Sequence, residues 1–172
     1  MRSLKLITAL FIIITGCRQA PANPSSAKAD STLYYPYSPV YSNDYHPAPG
    51  KLAQQVLQFW KEWESGDVLH TTSSFADTLT FILPDVILRG SRDSVLHAFK
   101  RRRTAYTDMQ CYVDSWMPLR ETTRNDDLVF VWGRQDGTTG SGRRDYRVIH
   151  EIWRFDRAGK IRQLEQYITH PH

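Results

Sequence analysis

Few residues of this chain combine reactive chemistry with a setting that could use it. The run Ile149-His150-Glu151-Ile152-Trp153-Arg154-Phe155 reads as a strand, and a period of two puts Ile149, Glu151, Trp153 and Phe155 on one face, with Val148, His150, Ile152 and Arg154 on the other. His150 and Glu151 therefore point to opposite faces and do not form a dyad. The histidines are His46, His70, His97, His150, His170 and His172, and no pair has zinc-ligand spacing within one element supported by a third ligand. No metal or cofactor is expected, and His170-Pro171-His172 reads as a solvated tail. Asp114 shares a parity with Tyr112 and Trp116, so it is either a second cavity carboxylate or a residue of the solvent face. Asp77, beside Ala76 at a strand start, reads as a turn or cap residue. Cys111 lies in a β-rich stretch and reads as a buried, inert thiol.

Cys17 has a different setting. Arg2 and Lys5 precede the apolar run from Leu6 to Ile14, and Ile14-Thr15-Gly16-Cys17 follows directly. The order of basic end, short apolar stretch, small residues and cut site suits a signal peptide, whereas a membrane span needs about 20 apolar residues. The site resembles the lipobox of bacterial lipoproteins. That resemblance implies removal of 1-16, acylation of Cys17 (diacylglycerol on sulfur and a further chain such as palmitate on the amine) and anchoring in the lipid bilayer. Arg18 in place of Asp after the cysteine implies the outer membrane, facing the periplasm.

Loss of Arg2 and Lys5 with the signal leaves 20 basic against 18 acidic residues of the original 22 and 18, a net charge of +2. So balanced a surface gives no reason to expect nucleic acid. Lys100-Arg101-Arg102-Arg103 is the one basic run, and consecutive residues spread around a helix, so it reads as a solvated surface, with a membrane or protein contact as the alternative. Hydrophobic residues at 41% and aromatic residues at 12% exclude disorder throughout and supply one core.

The elements divide the chain into three parts. Residues 17-49 form a tether rich in Pro, Ala and Ser, then in Tyr, able to reach on the order of 100 Å when extended. Five of the nine tyrosines fall between Tyr34 and Tyr45. That half reads as packing on its own domain, with disorder or a partner contact as alternatives. Residues 50-172 form the domain. Leu52, Val56, Phe59, Trp60 and Trp63 recur at helical spacing in Lys51 to Ser65, and Gly66 ends the helix. Asp67 caps a short second helix through about Ser73, and Ser91 caps a third to about Tyr106. Strands are expected at Phe75 to Leu83, Val86 to Leu88, Met109 to Arg120, Leu128 to Gln135, Arg144 to Phe155 and Lys160 to Thr169, with a flexible connection at Gly137 to Gly142. The order predicts an α+β domain with helices on one side of a curved sheet.

Trp63-Glu64-Ser65-Gly66-Asp67, Phe75-Ala76-Asp77 and above all Glu151 to Ile161, with its Gly159-Lys160 turn, resemble the superfamily of nuclear transport factor 2, ketosteroid isomerase and the SnoaL-like cyclases. The likeness runs from about Leu52 to Thr169. It implies a cone-shaped, strongly curved antiparallel sheet packed against three N-terminal helices, and a homodimer through the open sheet face.

Ketosteroid isomerase uses a carboxylate base with a Tyr and a protonated Asp as oxyanion donors. The resemblance puts Leu83 at the base position, Phe59 at the Tyr position and Glu151 at the third, so two of the three groups are missing and that isomerisation is disfavoured. It also points Glu151 and, on the last strand, Leu164, Gln166 and Ile168 into the cone. An acid among Trp153, Phe155 and Trp60 has a raised pKa, fit for acid/base work or for donating a hydrogen bond to a ligand. The bland alternative is a carboxyl satisfied by Gln166, Tyr112 or Trp116 with no ligand. The expectation is thus an envelope lipoprotein whose cone binds a small apolar or amphipathic ligand, through Glu151, Gln166, Trp153, Phe155, Trp60 and Phe59, or mediates association. The alternative is a lyase, isomerase or cyclase using Glu151 as acid/base.

Overall fold

The computed structural model describes residues 34–170. Cys17, the expected signal peptide, the first half of the tether, Pro171 and His172 lie outside the described residues. Two units are distinguished, and of the first only residues 34–38 are described. In these Tyr34, Tyr35 and Tyr37 are exposed and the backbone is irregular.

In the second unit, helix α1 (Gly50–Ser65) forms on the expected periodicity and buries Leu52, Val56, Phe59, Trp60 and Trp63 along one face. It ends at Gly66, whose φ of 86° few other residues tolerate, and the Gly66 amide closes the last turn on the Trp63 carbonyl. Helix α2 (Arg92–Arg103) begins at Ser91, whose hydroxyl accepts the Ser94 amide, and buries Val95, Leu96, Phe99 and Arg103. The short helix expected after Asp67 is replaced by a single 3-10 turn, Thr72–Ser74, so the described residues hold two α-helices and not three. Glu62 gives the reason. Its buried carboxylate accepts from the Thr71 hydroxyl at 2.7 Å and from the Thr71 amide at 3.3 Å, tying the loop to α1 in place of a continuing helix. Asp67 faces His70 at 3.4 Å instead of capping.

Seven strands make one sheet: β1 (Tyr45–Pro47), β2 (Phe75–Ile82), β3 (Ile87–Ser91), β4 (Tyr106–Glu121), β5 (Asp126–Thr139), β6 (Arg144–Phe155) and β7 (Ile161–Thr169), in the order β1-β4-β5-β6-β7-β2-β3. The sheet is mixed, not wholly antiparallel as expected, because β2 and β7 pair in parallel. Helix α2 carries the chain back across the sheet, so β4 restarts in the direction of β3, and three reversals later β7 runs alongside β2. Register shifts in β4 at Tyr106/Asp108 and Val113/Ser115 are bulges that bend the sheet. The tyrosine-rich stretch contributes β1, paired to the end of β4, and Tyr41 lies under the Arg124 guanidinium at 4.5 Å. Gly137 belongs to β5, packed against Met109 and Tyr106, and the connection to β6 is the short turn around Gly142.

The inner, helix-facing side of the sheet is closed by aromatic rings. Phe59 meets Phe75 edge-on at 5.0 Å and Trp153 at 5.6 Å, Phe81 meets Phe99 at 5.3 Å, and Trp63 packs on Phe99 at 4.6 Å. Such pairs add about 0.5–1.5 kcal/mol each beyond the area they bury. The outer face carries Tyr112, Met117, Phe130, Trp132, His150 and Tyr167, with Phe130 stacked on Trp132 at 6.2 Å and His150 edge-on to Trp132 at 6.0 Å. Asp114 sits at the β4 bulge and pairs with Arg134 at 2.9 Å, away from the cone, which decides between its two readings.

Candidate functional site

Glu151 is 4% exposed and enters the cone from β6, opposite Val131 on one neighbour and Gln166 on the other. Its carboxylate receives three N–H donors. The Trp60 indole donates at 2.6 Å and the Trp153 indole at 2.8 Å to Oε2, and the Gln166 amide donates at 2.7 Å to Oε1. Burial raises the carboxyl pKa, opposed in order by the Gln166, Trp60 and Trp153 hydrogen bonds and by the Arg147 charge. Of the partners considered from sequence, Gln166 is in place, while Tyr112 lies on the outer face and Trp116 stands at the edge of α1 near Gln54 and Leu57.

Trp60 reaches this carboxylate from α1 because residue 133 is glycine. A Cβ there would lie 2.7 Å from the indole Cη2 and 2.5 Å from the Tyr112 carbonyl oxygen. Gly133 is a positioning residue that the sequence reading passed over, although a lone glycine inside a β-run signals close approach of another group.

The cone is nearly full around Glu151. The space bounded by Phe59, Trp60, Trp63, Trp153 and their neighbours has a volume of about 10 Å³, at the lower limit for one water molecule. Phe155, 2% exposed, is a core residue, and Phe59 packs edge-on against the Phe75 and Trp153 rings. Leu83 is buried in the same core.

Above this plug the cone opens into a cleft of about 370 Å³, within the range of small-molecule sites. Trp63, Phe99, Gln135 and Gln166 form its floor and separate it from Glu151. Pro84 and Ile168 add apolar wall, and Arg102, Arg147, Asp85, Asp145 and His170 supply charge. Arg102 Nη2 grips both Asp85 oxygens at 2.7 and 2.9 Å and holds that carboxyl below its ordinary pKa. Arg147 Nη2 donates to the Oε1 of buried Gln135 at 3.0 Å, and its guanidinium covers the Tyr106 ring at 5.1 Å. Tyr106 donates to Asp145 at 2.6 Å. None of Arg102, Gln135 and Arg147 was singled out for a site; in sequence they are polar members of strands and of a basic run.

That basic run is only partly solvated. Arg103 is 8% exposed and spans from α2 to the end of α1, donating to the Trp63 carbonyl at 2.6 Å, the Glu64 carbonyl at 2.9 Å and the Tyr106 carbonyl at 2.9 Å. It satisfies the carbonyls that a helix C-terminus leaves open. Asp77 lies within β2, its exposed carboxylate 3.5 Å from Arg92. His170 lies 3.6 Å from Asp145. Among the described residues there is no cluster of metal-ligating side chains and no helix long and apolar enough to cross a membrane.

No family model and no curated protein matches the chain. Solved structures do. It is similar to a nuclear transport factor 2-like protein from Burkholderia pseudomallei, with TM-score 0.55 and 17% identity over 69% of this chain and 90% of that one. A SnoaL-like protein from Burkholderia thailandensis aligns with TM-score 0.54 and 16% identity over 73% and 100%. SalBIII, an epoxide hydrolase/cyclase-like enzyme of pyran ring formation in salinomycin, aligns with TM-score 0.54 and 14% identity over 69% and 91%. The likeness establishes the fold, which hosts cyclases alongside proteins of other kinds, and leaves activity to be argued from the site.

Proposed function

We propose that this is a lipid-anchored protein of the bacterial envelope, held through acylated Cys17 at the periplasmic face of the outer membrane. Its cone domain takes a small amphipathic ligand at the mouth of the cone, and Glu151 is a structural tie beneath it. One observation carries the reading. Glu151 accepts three N–H donors and has only about 10 Å³ beside it, while about 370 Å³ opens on the other side of the Trp63, Phe99 and Gln166 floor.

Acid/base catalysis by Glu151 requires a substrate atom within hydrogen-bond reach of the carboxylate. The two indoles and the Gln166 amide occupy those approaches. The cyclase-like relative of the same fold therefore lends its architecture to this reading and not its chemistry.

Native mass spectrometry of the full-length protein released from membranes in detergent tests both parts. The expected result is a mature chain beginning at Cys17 with acyl mass added, carrying a small molecule that extraction removes. An unmodified amino terminus overturns the anchor, and a chain that binds nothing in a metabolite panel overturns the ligand site. A second reading, self-association, rests on the outer sheet face, where Tyr112, Met117 and Tyr167 are exposed beside the stacked Phe130 and Trp132. Sedimentation of wild type against Trp132→Glu separates a dimer of that face from a monomer.

A further inference from the structure

Resting on the reading of the mouth cleft as the ligand site, we infer that the cleft selects a small monocarboxylate with an apolar body, engaged by Arg147 and the Trp63 indole. Hydrogen-bond accounting points there. Most of the acceptors around the cleft are engaged: both Glu151 oxygens by indoles and Gln166, the Gln135 carbonyl by Arg147, both Asp85 oxygens by Arg102, and Asp145 Oδ2 by the Tyr106 hydroxyl, while Asp145 Oδ1 has only His170 at 3.6 Å.

Donors are left over. Trp63, 6% exposed, has an indole N–H with no partner, and the Arg147 Nε–H likewise has none, since Asp145 stands 3.6 Å away, outside hydrogen-bond range. Arg102 engages Asp85 through Nη2. Buried donors are almost always paired in folded proteins, so two orphans beside one cleft mark the place where an acceptor is missing.

The surplus is of N–H groups, two of the side chains are guanidinium forks, and a carboxylate is the acceptor that such forks match. Asp85 and Asp145 offset the charges of Arg102 and Arg147, so the lining has no net charge to hold the two charges of a phosphate monoester, and a monocarboxylate is held by the directed N–H groups instead. Trp63, Phe99, Pro84 and Ile168 require the rest of the ligand to be apolar. Both orphan atoms are screened from bulk water, so the carboxylate reaches them by displacing wall side chains. His170, with its side chain 66% exposed, is the most open of these.

The test is a titration of the full-length chain in detergent micelles with benzoate, and separately with benzamide, followed through the indole N–H resonances. Trp63 is identified by its absence in Trp63→Phe. Saturable movement of the Trp63 resonance with benzoate is expected, with benzamide and Arg147→Gln each weakening binding by roughly tenfold or more, as removal of a charge-assisted hydrogen bond does. Arg147→Lys, which keeps the charge and loses the fork, serves if Arg147→Gln does not fold, and is expected to bind more weakly than wild type. Equal binding of benzoate and benzamide, unchanged by the Arg147 variants, overturns the carboxylate inference and leaves the cleft a ligand site. A Trp63 resonance that neither probe moves overturns the inference and counts against the cleft itself.

Discussion

Replacing Glu151 separates a structural tie from a catalytic acid. In Glu151→Leu the Trp60 and Trp153 indoles and the Gln166 amide lose their acceptor. Gln166 is half-buried and borders the open cleft, so its amide can turn toward water; the two indoles are enclosed. An orphaned buried donor costs about 1–3 kcal/mol, which gives about 2–6 kcal/mol for the pair. Relief of the carboxyl's own desolvation returns part of this, leaving a loss of about 1–4 kcal/mol, a sizeable share of the roughly 5–15 kcal/mol that holds a domain together. Glu151→Gln behaves differently. Its amide oxygen can accept both indoles, and a flipped Gln166 can present its own oxygen to the new NH₂, so the loss stays within about 1 kcal/mol. Urea denaturation of the two variants and wild type, followed by tryptophan fluorescence, measures both values. A Glu151→Leu protein as stable as wild type, or a Glu151→Gln protein as weak as Glu151→Leu, would refute the assignment of Glu151 as the buried hub of these three donors.

The same pair carries a pH signature. Burial raises the Glu151 pKa above its ordinary 4.5, so above that value the unfolded chain has lost a proton that the folded chain still holds. Wild type therefore loses stability relative to Glu151→Gln as pH rises above the ordinary value, and a wild type that gains on Glu151→Gln there contradicts the shift. Gly133→Ala drives a Cβ into the Trp60 ring and the Tyr112 carbonyl; a loss of about 1–3 kcal/mol is expected, with the largest indole resonance shift at Trp60, and an unchanged melting temperature would refute the close packing. Arg103→Lys keeps the charge but cannot span three carbonyls, so denaturation should show a loss of about 1–3 kcal/mol where a solvated arginine would show none. Burial first, then the charges of Glu64 and Glu151, push the Cys111 thiol up to about 12. Cys111 is half-buried against the core and not fully buried as expected from its strand; in a Cys17→Ser background it should still react slowly with a disulfide reagent at about pH 8 until denaturant is added, and rapid native labelling would overturn its raised pKa.

The parts of this protein that its sequence determined are those with local causes. The α1 stripe follows from apolar residues at steps of three and four, and its end from Gly66 in the left-handed conformation. Strand alternation puts Glu151 on one face with Ile149, Trp153 and Phe155, and the last hairpin follows from the Asp156 to Gly159 turn, where Gly159 has φ 75°. The tertiary structure alone decided what these elements do to each other. Glu151 is tied by an indole 91 positions earlier in the chain, admitted by a glycine on a third element. Four consecutive basic residues diverge by about 100° each around α2, and only the docking of α2 against α1 turned Arg103 inward while leaving Arg102 at the cleft. Whether the cone is open or filled was equally beyond the reach of spacing, because it depends on how rings from α1, α2, β2 and β6 interlock. A periodicity records which face a residue occupies; the volume left between faces is set by the side chains that meet there, and these come from segments with no fixed separation along the chain.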